Sequence, residues 1–363
     1  MNKTYANPRV LMLVPSVAKR QVEETVRADG HPTMDYFALQ QALGADLMDY
    51  TALEANASPA LVRLARRAGR DTALAAYAYS RRRDYDVIYS NGENVSIPLA
   101  FLLKGVRVRP LHVLIGHRVT PKKKRLFFKA LHPQMDALFL YASPQVDFAK
   151  TELGIPAHKL HLIPFHADDR FYRPLLPSAD VPPNLICSAG LEWRDYPTLI
   201  EAVTGMDVTV KLGASSPWSK HQNETENRVL PPNVTAQRYE YGELRQLYAD
   251  SKFVVVPLYE NDFQAGITTI LEGMAMGKAV ITTRTAGQVD TIREGENGLY
   301  VAPGDVEGWR KAITFLLKNP QEAERMGAQG RRDIETRMSL EKWVERIANV
   351  IREMDRERLR KAA

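Results

Sequence analysis

The sequence predicts an α/β protein built from two doubly wound parallel sheets. The first observation is that short β-rich runs alternate with helical patterns along all 363 residues. The second is that these runs are continuously apolar, which is typical of parallel strands covered by helices on both faces. The third is the stretch PLLPSADVPPN at 174–184, whose four prolines in eleven residues indicate an extended linker.

Eleven runs qualify as strands, five before the linker and six after it. They are RVLMLV, DVIYS, LHVLI, ALFLYAS and LHLIP, then NLICSA, DVTVKL, NVTAQR, FVVVPL, AVITT and GLYV. The predicted domains are an N-terminal domain at 1–173, a linker at 174–183, a C-terminal domain at 184–340 and a terminal helix at 341–363 that packs back toward the N-terminal domain. Two such domains leave a cleft at the carboxyl ends of their strands, where ligands bind.

The composition limits the chemistry. A single cysteine, Cys187, excludes an intrachain disulfide, and we interpret it as a buried structural thiol in a reducing compartment. The apolar run LMLV near the start is too short for a signal peptide or a membrane span, so we expect a cytoplasmic protein. No Cys and His cluster is present, and Asp168 and Asp169 are adjacent rather than spaced as a metal motif. We expect no metal and no cofactor.

The net charge of +6 is concentrated in the first half of the chain. Residues 1–170 carry 24 Lys and Arg against 16 Asp and Glu, with runs such as PKKKR at 121–125. Such runs are solvated faces, or they contact anionic lipid or an acidic ligand. Nucleic acid is not expected, because no recognition motif is present. The stretch 60–83 mixes apolar and basic residues at helical spacing, and we hypothesise that it lies on the inner membrane face as a peripheral contact.

The segment FQAGITTILEGMAMGKAV, residues 263–280, carries one acid inside an apolar helix. Glu272 lies off the core stripe of this helix and shares a face with Thr268, four residues earlier. Gly266 permits a close backbone approach, and the amides and hydroxyls of Thr268 and Thr269 lie at a helix start, where anions bind. An anion there and a carboxylate one turn away, about 5.4 Å, would suit the phosphate and ribose of a nucleotide.

A simpler interpretation of the same glutamate remains open. Glu272 could be a partly buried acid paired with a surface lysine such as Lys278. The residues alone do not choose between the two.

The stretch LEGMAMGKAVITTRTAGQVDTIREGENGLYVAPGD resembles the C-terminal signature of retaining nucleotide-sugar glycosyltransferases of the group-one, family-four type. The stretch SAGLEWRDYPTLIEAV at 188–203 resembles the first phosphate-binding loop of that family's second domain, and LGIPAHKLHLIPFHADDRFYRP at 153–174 resembles the stretch that closes its first domain. The similarity is good over 140–310 and weak over the first 110 residues. It implies the GT-B fold, in which two Rossmann-like domains face each other across a cleft.

The resemblance also implies an activity. A sugar would pass from a nucleoside diphosphate sugar, expected to be a UDP-sugar, to a saccharide or lipid-linked acceptor hydroxyl, with retention, in polysaccharide or glycolipid biosynthesis. Glu272 matches the residue that binds the donor ribose, and Thr268 and Thr269 match the stretch whose amides hold the diphosphate. Arg194, in the loop that begins at Gly190, matches the residue that clamps the diphosphate.

Other positions depart from the family pattern or match it only locally. His117, in LIGHRVT at a strand end, resembles the first-domain histidine that faces the donor sugar. Gln264 stands where the family has its first glutamate, so it can bond sugar hydroxyls but cannot carry charge. Leu191 follows Gly190 where an arginine is frequent, which leaves Lys211 or Arg284 as candidates for a second phosphate cation.

Three other functions compete with a transferase. A UDP-sugar 2-epimerase would use the same fold. A non-catalytic membrane-binding or RNA-binding protein would suit the glutamine and the arginine runs. A nicotinamide dehydrogenase is disfavoured, because no G-x-G-x-x-G follows any strand.

Overall fold

A computed structural model describes residues 7–18, 21–56, 58–213 and 229–362, which form two compact units. Unit 1 contains the described residues up to Gln21, Met34–Ile163 and those from Trp343 onward. Unit 2 contains Val22–Thr33 and, within the described ranges, Pro164–Lys342.

Unit 1 holds a sheet of six parallel strands in the order β2-β1-β3-β4-β5-β6. The strands are β1 (Val10–Leu13), β2 (Asp46–Met48), β3 (Val87–Ser90), β4 (Leu111–Gly116), β5 (Ala137–Leu140) and β6 (Leu160–Leu162). The helices, numbered after α1 (Val22–Arg27) of unit 2, are α2 (Asp35–Leu43), α3 (Tyr50–Asn56), α4 (Pro59–Ala68), α5 (Arg70–Ser80), α6 (Glu93–Leu103), α7 (Lys122–Leu131) and α8 (Ser143–Thr151).

Unit 2 holds a second sheet of six parallel strands in the order β12-β11-β10-β7-β8-β9. The strands are β7 (Leu185–Ala189), β8 (Thr209–Gly213), β9 (Val234–Gln237), β10 (Val254–Val256), β11 (Val280–Thr283) and β12 (Gly298–Val301). After α1, its helices are α9 (Tyr196–Val203), α10 (Tyr241–Asp250), α11 (Ile267–Ala275), α12 (Val306–Lys318) and α13 (Pro320–Asp333), and a long helix α14 (Leu340–Ala362) follows.

Alternate residues of the central strands of unit 2 enter different cores. Val254 and Val256 of β10 pack with Cys187 of β7 and with α11, whereas Val255 packs with α9 and α12 on the other face. This alternation is the consequence of strand geometry, and it explains why the runs FVVVPL and NLICSA are apolar at every position. Cys187 is fully buried in the sheet, and burial raises the pKa of its thiol to about 12.

The predicted fold class is confirmed as two parallel sheets flanked by helices, and each of the eleven predicted runs contains a strand. The sequence analysis missed β2, which has three residues and a single buried side chain, Met48. A strand this short shows no period that distinguishes it from a turn.

The stretch 60–83, which was hypothesised to lie on the inner membrane face, is divided between two helices. Gly69, with φ of 87°, separates α4 from α5. Ala73, Leu74 and Ala78 of α5 are fully buried in the core of unit 1. Only α4 has a largely exposed surface, so this stretch cannot lie as a whole on a membrane.

Helix α14 packs within unit 1 from Trp343 onward. Arg358 forms an ion pair with Asp86 at 3.0 Å, and Arg352 donates a hydrogen bond to the Ala42 carbonyl. No helix in the described ranges combines the length and the apolar character that crossing a membrane requires. The predicted domain boundaries, including the linker at 174–183, stay a prediction.

Candidate active site

The strand order of unit 2 reverses between β7 and β10, which are neighbours in the sheet although β8 and β9 lie between them in the chain. In doubly wound sheets ligands bind outside the carboxyl ends of the strands at this point. A cavity of about 330 Å³ lies there, lined by residues that follow β7, β9 and β10 and by the start of α11. Seven predicted site residues line it, namely Gly190, Arg194, Gln264, Gly266, Thr268, Thr269 and Glu272.

Helix α11 presents its N-terminus to this cavity. Gly266 precedes the helix in the left-handed conformation, with φ of 75°, and a Cβ at this position would lie 2.8 Å from Val256 Cγ1. The Thr268 and Thr269 amides belong to the first turn, whose N–H groups have no preceding helical carbonyl to bond. Thr268 is exposed, whereas the Thr269 side chain is buried. The helix start therefore offers backbone donors and a positive dipole end to an anion.

Arg194 lies at the floor of the cavity and is 7% exposed. Its guanidinium donates to the Ala189 carbonyl at 2.8 Å, to the Glu192 carbonyl at 2.8 Å and to Thr269 Oγ1 at 3.1 Å. These acceptors are neutral, so among the described residues the guanidinium has no direct carboxylate partner. Burial lowers the pKa of Arg194 from its ordinary value, which places a desolvated cation beside the helix start.

The Thr269 hydroxyl is occupied by hydrogen bonds within the protein. It accepts from Arg194 and donates to the Ala189 carbonyl at 3.2 Å. Of the predicted phosphate contacts of Thr269, only the backbone amide is left for a ligand.

Glu272 is 8% exposed and lines the same cavity. Its Oε2 accepts a hydrogen bond from the Tyr248 hydroxyl at 2.8 Å, and the Tyr172 hydroxyl lies close to the same carboxylate. Burial raises the pKa of Glu272 to about 7, against the opposing effects of the two tyrosines and Arg194. Lys278 donates to the Ala249 carbonyl instead, so the alternative pairing of Glu272 with Lys278 is not what the structure contains.

Gln264 is also 8% exposed, and its Oε1 has no hydrogen-bond partner within the described ranges. A buried carbonyl oxygen without a donor is costly, because it has lost water and gained nothing in exchange. Since Gln264 lines the cavity, a hydroxyl-bearing ligand would supply the missing donor.

Aromatic residues that sequence reasoning missed form the other wall of the cavity. Tyr239 and Tyr241 follow β9, and Phe263 follows β10. His31 lies beside Tyr241, with ring centroids 4.2 Å apart and the ring planes tilted by 60°. The run RYEYGEL directly after a predicted strand was the available signal for the two tyrosines, whereas the contact with His31 spans 210 positions and leaves no local pattern.

The segment that carries His31 is held within unit 2 by ion pairs and a hydrogen bond. Asp29 forms ion pairs with Arg173 at 2.8 Å and Arg245 at 3.0 Å, and Asp168 accepts from the Thr33 amide at 2.7 Å. Asp168 therefore has a structural role within unit 2.

His117 lies in unit 1, directly after β4, and its side chain is exposed. Its ring centroid is 5.7 Å from that of Tyr141, and its carbonyl accepts from Gln145 at 3.2 Å. The structure therefore places His117 at the carboxyl edge of the other sheet, and its predicted contact with a donor sugar stays a prediction.

Neither candidate for a second phosphate cation lines the cavity. Lys211 is part of β8, and Arg284 lies over the Tyr300 ring at 4.0 Å and pairs with Glu294. Gly213 lines the cavity directly before 214–228, a segment outside the described residues. Within the described part of the chain, no group of three or more His, Cys, Asp or Glu side chains could hold a metal ion.

Comparison with known proteins gives consistent results. Residues 212–333 match the family model described as glycosyl transferases group 1. The chain is 27% identical over 172 residues to the uncharacterized glycosyltransferase MJ1178 of Methanocaldococcus jannaschii, an alignment that covers 47% of this chain and 48% of that protein. It is 23% identical over 282 residues to the MMP alpha-(1->4)-mannosyltransferase of Mycolicibacterium hassiacum, covering 69% of this chain and 66% of that protein.

Among solved structures, Anabaena Alr3699/HepE in complex with UDP and glucose superposes with a TM-score of 0.67 at 17% identity, covering 95% of this chain and 99% of that chain. At this identity the superposition supports the fold, and the predicted GT-B class is confirmed. The chain spans about half the length of MJ1178.

The close fit of Arg194 under Gly190 gives a stability prediction. Gly190 has φ of 87°, and a Cβ there would lie 2.6 Å from Arg194 Nη2. We expect Gly190→Ala to lower the free energy of unfolding in urea by about 2–4 kcal/mol, because left-handed strain is added to the displacement of a buried guanidinium. Gly205→Ala is the control, since Gly205 has φ of 76° with nothing within 4 Å of the added Cβ. Equal losses in the two variants would contradict a specific Gly190–Arg194 fit.

Proposed function

We propose that this protein, whose residues 212–333 match the family model of the group 1 glycosyl transferases, transfers a sugar from a nucleoside diphosphate sugar, a UDP-sugar in particular, to an acceptor hydroxyl. The observation that carries the proposal is the cavity of unit 2, where the cation of Arg194, the N-terminus of α11 and the carboxylate of Glu272 line one space. A nucleoside diphosphate offers the complementary groups, which are two phosphates and a pair of ribose hydroxyls.

In the proposed reaction the diphosphate is the leaving group. As the bond between the sugar and the diphosphate breaks, negative charge grows on the departing oxygen. Arg194 and the Thr268 and Thr269 amides are already oriented, so they stabilise this charge without reorganising, and the interaction is stronger in the transition state than in the bound donor. Retention at the anomeric carbon and independence of metal ions belong to the proposal, and retention rests on the resemblance alone.

Glu272 is proposed to accept hydrogen bonds from the ribose hydroxyls. Its carboxylate lies on the first turns of α11, beyond the phosphate donors, in the order that phosphate and ribose have along a nucleotide. The raised pKa of the Glu272 carboxyl supports this role, because perturbed buried acids inside a cavity are frequent at ligand sites. Tyr239 and Tyr241 supply an apolar wall for the base.

Gln264 is proposed to bind hydroxyls of the donor sugar. Its Oε1 accepts from no donor among the described residues, and a neutral amide selects hydroxyl groups without adding charge near the phosphates. His117 is proposed as a second sugar contact on the strength of the resemblance. The acceptor is proposed to be a saccharide or a lipid-linked saccharide, with unit 1 in peripheral contact with the inner membrane face.

A two-stage experiment tests the proposal. A melting-temperature screen against nucleotides and nucleotide sugars should show a rise with one donor class, because a ligand that binds only the folded state stabilises it. The responding donor is then incubated without acceptor. We expect slow release of the nucleoside diphosphate and a sugar of unchanged configuration. Formation of a 2-epimer would overturn the transferase in favour of an epimerase. Absence of any nucleotide-sugar binding would favour a non-catalytic protein.

The buried carboxylate gives a prediction in which stability and binding change in opposite directions. Glu272→Gln should weaken binding of the nucleoside diphosphate about 10–100-fold in calorimetry, because charged hydrogen bonds to the ribose are lost. The same variant should unfold at a higher temperature than the wild type at pH 8 and at a similar temperature at pH 5.

The direction of this pH dependence follows from the linkage between folding and protonation of Glu272. The folded-state pKa of Glu272 is about 7 against an ordinary value of 4.5, so folding favours the protonated form. Its stability contribution is complete below about pH 4.5 and is lost as the pH rises through 7, a cost of about 3 kcal/mol that glutamine removes. Glu201→Gln, an exposed substitution on α9, should change neither quantity. A Glu272→Gln variant with unchanged affinity would remove the ribose assignment.

Gln264 can be tested by comparing two ligands. Gln264→Leu should leave the affinity for the free nucleoside diphosphate within about twofold and lower the affinity for the nucleotide sugar about tenfold, since one hydrogen bond to the sugar is lost. Both affinities are measured by calorimetry on the same preparation. Equal losses for both ligands would place Gln264 at the phosphates rather than at the sugar.

A further inference from the structure

Helix α7 of unit 1 has two chemically distinct halves. Its exposed half carries Lys122, Lys123, Leu126, Phe127 and Lys129, which we call the α7 face. These positions are related by steps of three and four residues, so they share one side of the helix. Leu126 is 76% exposed and Phe127 is 52% exposed, which is unusual for two adjacent large apolar side chains.

The side chains on the opposite half of α7 make their contacts within the protein. Phe128 and Leu131 are buried in the core of unit 1. Lys124 pairs with the buried Glu93 at 3.5 Å, and Arg125 lies over the Phe148 ring at 4.8 Å. The cations of the inner half therefore have partners, whereas Lys122, Lys123 and Lys129 form no ion pair or hydrogen bond within the described ranges.

The sequence around α7 contains no acidic residue that would balance the charge of its lysines. Residues 94–135 contain nine Lys and Arg and no Asp or Glu. Helix α6, which packs beside α7, adds Phe101 at 67% exposure near its end. The α7 face itself combines two exposed apolar side chains with positive charge that no acid of this stretch balances.

We propose that the α7 face docks on an anionic lipid bilayer, with Leu126 and Phe127 inserted at the level of the headgroups and the three lysines paired with lipid phosphates. Leucine and phenylalanine flanked by lysine are the composition of interfacial helices, whose binding combines buried apolar area with attraction to anionic lipid. This inference deepens the membrane contact in the proposed function by naming its surface, and it does not depend on the donor site.

The composition favours lipid over nucleic acid. Lysine contacts phosphate in both cases, but the apolar element here is a leucine beside a phenylalanine rather than a set of aromatic residues spaced to stack successive bases. The exposure of apolar side chains also favours α7 over α4. Leu64 and Ala65 of α4 pack against the core, and Val62 is 40% exposed, whereas Leu126 and Phe127 of α7 are 76% and 52% exposed.

Vesicle flotation with the full chain tests the proposal. The wild type should float with vesicles of phosphatidylcholine mixed with phosphatidylglycerol and not with phosphatidylcholine alone. Lys122→Glu with Lys123→Glu should lower the bound fraction at least about tenfold. Leu126→Ser with Phe127→Ser should lower binding most clearly at high salt, where charge attraction is screened.

A matched charge control is available on α4. Arg63→Glu with Arg66→Glu makes the same change of net charge at another exposed surface, and it should lower binding less than about threefold. Melting temperatures and the temperature rise with nucleotide are recorded on every variant. Equal loss in the α4 and α7 variants, no flotation of the wild type, or RNA binding as tight as vesicle binding would each overturn the proposal. A wild type that floats but shows no nucleotide response would overturn the proposed donor site and leave the lipid surface standing.

Discussion

The guanidinium of Arg194 joins the strand end and the helix start on which the candidate site depends. It bonds the Ala189 carbonyl at the end of β7 and Thr269 Oγ1 at the start of α11, so the switch point of the sheet and the helix N-terminus are fixed relative to each other. Gly190 and Gly266 leave the space for this side chain and for the helix start. The same interaction holds a desolvated positive charge where the proposed leaving group would lie, so the structural role and the proposed chemical role belong to the same atoms.

The candidate site carries features that a fold without a ligand would avoid. Glu272 is an acid with a pKa raised to about 7 by burial, and Gln264 has a buried oxygen with no donor in the part of the chain that the structure describes. Each costs stability in the unliganded protein, and neither is needed to pack α11, whose core contacts come from Ile270, Leu271 and Met274. Their placement in one cavity is the pattern expected when stability is given up for binding.

Much of this arrangement could be predicted from the sequence, for physical reasons that also explain the failures. The strands of a parallel sheet are apolar on both faces, so eleven of them were evident as runs, and the seven site residues of unit 2 follow strand ends that one sheet edge brings together. The Tyr248–Glu272 bond links positions 24 apart on different helices, and the His31–Tyr241 contact links positions 210 apart. Neither contact produces a periodic pattern in the nearby sequence. The break at Gly69 was missed because apolar and basic spacing continues across it.

The central claim is that the cavity of unit 2 binds a nucleoside diphosphate with its phosphates at α11 and its ribose at Glu272. A crystal structure of the protein with UDP tests this most directly. The account predicts phosphate oxygens within hydrogen-bond distance of the Thr268 and Thr269 amides and ribose hydroxyls on the Glu272 carboxylate. A nucleotide bound outside this cavity, or one with its base at the helix N-terminus, would contradict it.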